Sequence, residues 1–117
     1  MAADGTGLRV MDLGSAWSEF TGLPFVWALW VGREALTPEL AGILIEARAW
    51  GQGHLEEIIP DAMKRSGWPE GVVRKYLGET MNYDLTERHL EGLKRFRALL
   101  QRHGFIGDIP FPSIVAP

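Results

Sequence analysis

TGLPFVWALW, residues 21–30, is the stretch on which the fold turns. Two polar or small residues lead into a Leu-Pro step. From Leu23 to Val31 the chain then runs for nine residues with no charged or hydrogen-bonding side chain except the two tryptophan indoles. A bilayer span needs about 20 apolar residues, so the run is too short to be one. A half-covered strand alternates apolar and polar positions, and this run does not. A continuous apolar strand belongs in the middle of a parallel or mixed sheet with helices on both faces. Pro24 fits that reading, because proline is tolerated at a strand start and biases its neighbour away from the helical region. Residues 25–31 are therefore expected to form a strand covered on both faces. The competing reading is that residues 25–30 continue as helix inside an all-α bundle, since periodicity does not separate the two over so short a run.

The rest of the chain sharpens the puzzle. Residues 1–7 are small, polar and Gly-rich, a lead-in expected to be flexible. Leu8, Arg9, Val10, Met11, Asp12 and Leu13 read as a first short strand. Gly14-Ser15 breaks it, with Ser15 as a helix cap, and residues 16–20 form a short helix bearing Trp17 and Phe20 on one face. Thr21-Gly22 ends that helix. After Gly32, Arg33 and Glu34 the chain is helical almost to its end. Thr37-Pro38-Glu39 supplies a cap, an N1 proline and an early acid. The helix it opens carries Leu40, Ile43, Leu44, Ala47 and Trp50 as an apolar stripe. A second helix is expected over residues 54–65, kinked or split by Pro60. Gly67-Trp68-Pro69-Glu70 stops it and opens a short helix through Leu77. A loop follows at residues 82–85. Thr86 then caps a long helix to His103 with Leu90, Leu93, Phe96 and Leu100 as its stripe, acids early and bases late. The tail, 107–117, is Pro-rich and expected to be extended. Two short strands cannot cover each other on both faces. The run from Phe25 therefore calls for partner strands this chain does not contain.

Composition narrows the function classes. At 117 residues, 23% charged and 46% hydrophobic, the chain has the size and composition of one small globular domain. Its net charge of -3 gives no electrostatic reason to expect nucleic acid or an anionic membrane. With no cysteine, disulfides, thiolate catalysis and Cys-based zinc sites are excluded. The opening residues lack a charged segment followed by an apolar one, so a cytoplasmic protein without a signal peptide is expected.

No constellation of catalytic side chains stands out. His89 and His103 lie roughly 21 Å apart on one helix and cannot share a metal ion, and the residues around His54 lack the spacing of a zinc helix. No metal site is expected. Arg88, Lys94, Arg95, Arg97 and Arg102 read as a solvated helix face, with Glu91 placed to pair with Arg95, rather than as a nucleic-acid surface. No Gly-rich phosphate loop is present. Asp12 and Ser15 sit where a strand passes into a helix, the edge at which α/β sheets bind ligands. They are weak candidates, set against the plainer role of closing a strand or capping a helix.

Two blocks carry a resemblance. Asp12-Leu13-Gly14-x-x-Trp17 followed by Thr21-Gly22-Leu23-Pro24-Phe25-Val26-x-Ala28-x-Trp30 forms the first. Tyr76-Leu77, Asn82-Tyr83-Asp84-Leu85 and Glu91-Gly92-Leu93-x-x-Phe96 form the second. In order and spacing they resemble the C-terminal part of the chorismate dehydratase family of the futalosine route to menaquinone. The likeness covers residues 8–106, less than half of a family member. Trp27 stands where phenylalanine is more usual, and the tail from Asp108 extends past it.

The resemblance implies an α/β fold, the C-terminal fragment of a two-lobed architecture like that of type II periplasmic binding proteins, mostly helical after two short strands. Residues 8–22 would be the remnant of the second lobe and the crossover. Residues 23–106 would be the C-terminal strand and helices of the first lobe. It also implies loss of water from chorismate, giving 3-[(1-carboxyvinyl)oxy]benzoate, with no cofactor. Most polar groups that touch substrate would lie in an N-terminal half outside this chain, which is the expected partner, and the chain would be inactive by itself. Thr21, Gly22, Leu23 and Pro24 would then line the cleft as pocket wall or hinge. Two other readings stay open. The sister dihydroxynaphthoate synthase shares the fold, though the DLG and TGLPFV pattern argues against it. A solute-binding or regulatory module would keep the fold without the chemistry.

Overall fold

The computed structural model describes residues 2–3, 7–33 and 36–116. Part of the lead-in expected over residues 1–7, Glu34 of the expected turn and Pro117 of the tail lie outside the described residues. The chain is mostly helical. Among the described residues, strand β1 (Ala2–Ala3) pairs antiparallel with β2 (Arg9–Val10), and five helices follow: α1 (Leu13–Thr21), α2 (Pro38–Gly53), α3 (Leu55–Ser66), α4 (Glu70–Lys75) and α5 (Glu87–Arg102). A π-helical turn, Tyr76–Thr80, continues α4. Two compact units emerge: Met1–Trp30 with Leu85–Pro112, and Val31–Asp84 with Ser113–Pro117.

In the first unit, Asp12 ends the expected strand early. Its carboxylate accepts from the Ser15 N–H at 2.7 Å, which starts α1 at Leu13 and makes Asp12, not Ser15, the cap. Gly22 closes α1 in the left-handed region at φ 70°, donating to the Ser18 carbonyl. Trp17, Phe25 and Phe96 meet edge to face, with ring centroids 5.1–5.8 Å apart, the favoured geometry for aromatic quadrupoles. Phe20, expected beside Trp17 on a packed face, is exposed instead. Thr86 caps α5, and the N3 residue His89 reaches back to accept from the Thr86 N–H through Nδ1, so a histidine fills the usual Glu or Gln place of the capping box. The tail returns along α5: Arg97 donates to the Ile109 carbonyl, Gln101 to the Gly107 carbonyl, and Lys94 lies over the Phe111 ring. Three of the five bases expected to face solvent, Arg88 among them, are thus engaged by backbone or ring, and no Glu91–Arg95 pair forms among the described residues.

The run from Phe25 departs from expectation. Residues 25–31 adopt neither strand nor helix. The reason is the one its pattern carries: a strand exists only through a ladder to a neighbour, and none is present among the described residues. Covered on both faces it is not, for Trp27, Trp30 and Val31 are 67%, 79% and 82% exposed.

In the second unit, Thr37 accepts from the Leu40 N–H and Pro38 takes the first helical position, as its sequence predicts. His54 closes α2 and opens α3. Pro60 lies inside α3 without splitting it, leaving only the Glu56 carbonyl without its helical donor. Helices α2, α3 and α4 each bury one residue: Ala41, Ile59 and Val73. The apolar stripe of α2 lies largely at the surface, with Leu40, Ile43 and Trp50 exposed. Arg74 of α4 joins that helix to α3 through Glu56 and also pairs with Glu70 one turn earlier on its own helix, and Arg48 ties α2 to Asp84 at 2.7 Å.

Candidate functional site

Thr21, Gly22, Leu23 and Pro24 form a turn whose backbone polar groups, from Gly22 on, are all engaged. The Gly22 N–H donates to the Ser18 carbonyl at 2.8 Å, and the Gly22 carbonyl accepts from the Arg88 guanidinium at 2.7 Å. Leu23 donates to Thr21 Oγ1 at 3.1 Å and accepts from Ser18 Oγ at 3.5 Å. The Pro24 carbonyl accepts from the Trp17 indole at 3.3 Å. Thr21 Oγ1 itself donates to the Trp17 carbonyl at 2.8 Å. Proline has no N–H, so from Gly22 on nothing on the turn's backbone is left over.

Helix α5 holds the turn from the other side. A Cβ on Gly92 would meet the Pro24 carbonyl oxygen well inside the 3.0 Å that real Cβ contacts essentially never cross. Gly92 is itself buried. The helix and turn therefore touch backbone to backbone, and only glycine permits it. Arg88, one turn earlier on α5, pins the Gly22 carbonyl.

The chemistry this offers is shape rather than proton transfer. No acid or base is among Thr21, Gly22, Leu23 and Pro24, and the one hydroxyl is committed to the chain. Leu23 and Pro24, both half-buried, present apolar surface on a fixed backbone. Asp12 and Ser15 are brought together, but with each other: hydrogen bonds from the Ser15 backbone and side chain, then Gly14, hold the exposed Asp12 carboxyl below its ordinary value. Among the described residues no group of three or more His, Asp or Glu side chains is placed to hold a metal ion, and no helix is long and apolar enough to cross a membrane.

Trp17, Arg88 and Gly92 escaped the sequence reading as parts of this site. The signal for Gly92 was present: a glycine in the middle of a long helix costs about 1 kcal/mol against alanine, so something must require it. Arg88 gave none, since an arginine on an amphipathic helix defaults to solvent.

Comparison with known proteins follows the same residues. A family described as menaquinone biosynthesis matches residues 1–102. Chorismate dehydratase from Thermus thermophilus is 36% identical over 112 residues, which is 94% of this chain and 38% of that relative. The chain thus spans well under half the length of that relative. No solved structure matches it.

Proposed function

The chain belongs to the menaquinone biosynthesis family, and from that premise we propose that it is the C-terminal part of a cytoplasmic chorismate dehydratase of the futalosine route. The observation that carries this reading is the 36% identity to a protein of that name across 94% of the chain. The hydro-lyase reaction is loss of water from chorismate to give 3-[(1-carboxyvinyl)oxy]benzoate. A ring C–H and a ring C–O bond break. The C–H electron pair becomes ring π-bonding, a base takes the proton, and the hydroxyl leaves as water once protonated. Aromatisation drives it.

In a two-lobed fold like that of type II periplasmic binding proteins, residues 8–22 belong to the second lobe and crossover, and residues 23–106 to the first. Thr21, Gly22, Leu23 and Pro24 are then wall of the substrate cleft. Their saturated hydrogen bonding favours wall over hinge, because bending the turn would break several bonds at once. The base and the groups that bind the two substrate carboxylates come from the remainder of the fold. The chain alone is therefore inactive.

The test is complementation. The purified chain is mixed with chorismate, alone and together with the separately expressed remainder of a related enzyme, and the aromatic product is followed by liquid chromatography. Product in the mixture only is the expected result. No product from folded, associated chains would overturn the assignment.

A further inference from the structure

We propose that His89 is a proton-sensitive latch on the Thr21–Pro24 turn: neutral, it completes the cap that holds Arg88 on the Gly22 carbonyl, and protonated, it lets that hold go. The inference concerns the conformation of this chain and does not depend on the reaction proposed above.

The latch begins at the cap of α5. Three places after a threonine cap the usual partner is Glu or Gln, and here it is the half-buried His89. Its Nδ1 accepts from the Thr86 N–H at 3.2 Å. A backbone N–H can only donate, so this nitrogen brings a lone pair, and the neutral ring carries its proton on Nε2. Thr86 Oγ1 lies 2.8 Å from the same nitrogen. Imidazole is the side chain that changes charge between about pH 5 and 8. A proton on Nδ1 meets the Thr86 N–H donor to donor and leaves that N–H without its partner. The protonated ring can still donate to Thr86 Oγ1, so it stays beside the cap. It is then a positive charge at a helix N-terminus, where the macrodipole opposes it.

No ion pair to His89 offsets that charge among the described residues. On α5, Glu87 and Glu91 lie two positions to either side, off the face His89 occupies, and Arg88 adds a second positive charge. Helix α1, packed on α5 through Trp17 and Phe96, carries Glu19. The Thr21–Pro24 turn carries no titratable group. The tail carries Asp108, which accepts from Gln101 some three turns along α5. Asp84, just before the cap, is taken by Arg48.

The effect reaches the turn through one peptide unit. Arg88 belongs to the same first turn of α5 as His89, and its guanidinium donates to the Gly22 carbonyl at 2.7 Å. The N–H of that same peptide, on Leu23, donates to Thr21 Oγ1 at 3.1 Å. Arg88 thus fixes one end of a planar unit whose other end is the Leu23 N–H. When the first turn of α5 frays, Arg88 loses its base and the unit loses its outer hold. The Gly92–Pro24 backbone contact lies one turn further on. The turn therefore loosens without leaving α5.

The experiment is nitrogen-15 NMR of the full chain, titrated from about pH 8 to pH 5. Correlations from the ring carbon protons read each nitrogen of His54, His89 and His103 separately. At the upper end, His89 is expected to show a bare Nδ1 and a protonated Nε2. As it titrates, the Thr86 and Leu23 amide resonances should move with the midpoint of the His89 ring. Protection of the Leu23 amide, corrected for the intrinsic pH dependence of exchange, should fall about tenfold. His89→Gln keeps an acceptor that does not titrate, so both resonances and the protection should hold across the range. His89→Ala should show the lowered Leu23 protection at every pH. If either variant fails to fold, the tautomer and the midpoints of the unmodified chain decide. A neutral ring protonated on Nδ1 overturns the inference. So does a Leu23 amide that follows another group's midpoint, or that stays still while Thr86 titrates. The parent's pH dependence persisting in folded His89→Gln overturns it as well.

Discussion

Gly92 and Pro24 are in backbone contact: α5 passes so close to the crossover turn that there is no room for a single methyl group between them. Two helical glycines should therefore answer the same substitution with opposite signs. Gly92→Ala gains about 1 kcal/mol of helix propensity, but overpacking against an unyielding carbonyl costs about 1–3 kcal/mol, and the chain is expected to lose stability. Gly71, in α4, has open space where a Cβ would go, so Gly71→Ala should gain about 0.5–1 kcal/mol. Thermal unfolding followed by circular dichroism separates the two.

Arg88 bridges a distance of 66 positions in sequence to bond the Gly22 carbonyl. Its side chain is exposed, so Arg88→Ala should cost no more than about 0.5–1 kcal/mol. The local effect is expected to exceed the global one. Exchange of the Leu23 amide and of the Trp17 indole N–H should quicken, while amides in the middle of α3 remain as they were. Equal quickening everywhere would mean that Arg88 supports the unit and not the turn.

Acid should loosen α3 from α4. The Arg74 guanidinium, by hydrogen bond and then by charge, holds the Glu56 carboxyl below its ordinary value. A carboxyl lowered on folding contributes stability above its unfolded pKa, and that contribution is lost as pH falls through the folded one. The loss is therefore expected below the usual glutamate range, and Glu56→Gln should flatten it. Salt should weaken the effect, because both side chains lie at the surface. Unfolding measured across an acid pH series, with and without salt, reads all three.

Burial predicts a sharp contrast between two apolar residues. Ile59, on α3, is 2% exposed, the least of the three buried apolar residues among the described ones. Ile59→Ala should cost about 2–5 kcal/mol, a large part of what so small a core supplies. Trp30→Ala should change the stability of the isolated chain by less than about 0.5 kcal/mol. Denaturant titration of the two variants tests the pair directly.

Local chemistry was the legible part of this chain. Thr37 with Pro38, Thr86, Gly22 and Gly67 act within a few residues of themselves, and the helices begin and end near where those residues place them. Asp12 took the cap that Ser15 was expected to hold because its carboxylate accepts from the Ser15 N–H itself and so starts the helix earlier. What could not be read were contacts between distant segments, such as Gly92 under Pro24, Arg88 on Gly22 and the tail on α5. Side-chain type alone does not report them. The apolar stripe of α2 and the run from Phe25 failed for another reason. The run was read as covered on both faces and the stripe as an apolar face, and such patterns describe the environment a segment is suited to. Neither finds that environment among the described residues.

The run from Phe25 also has a consequence for handling the protein. An uncharged apolar segment with two tryptophans and a free main chain has the makings of a cross-β seed. Its flanks are the natural brakes: Pro24 at one end, unable to donate to a growing ladder, and Arg33 just past the other, a charge that stacked copies would have to bring together. Removing the charge at Arg33 should make the preparation more prone to precipitate, which light scattering on concentration would read.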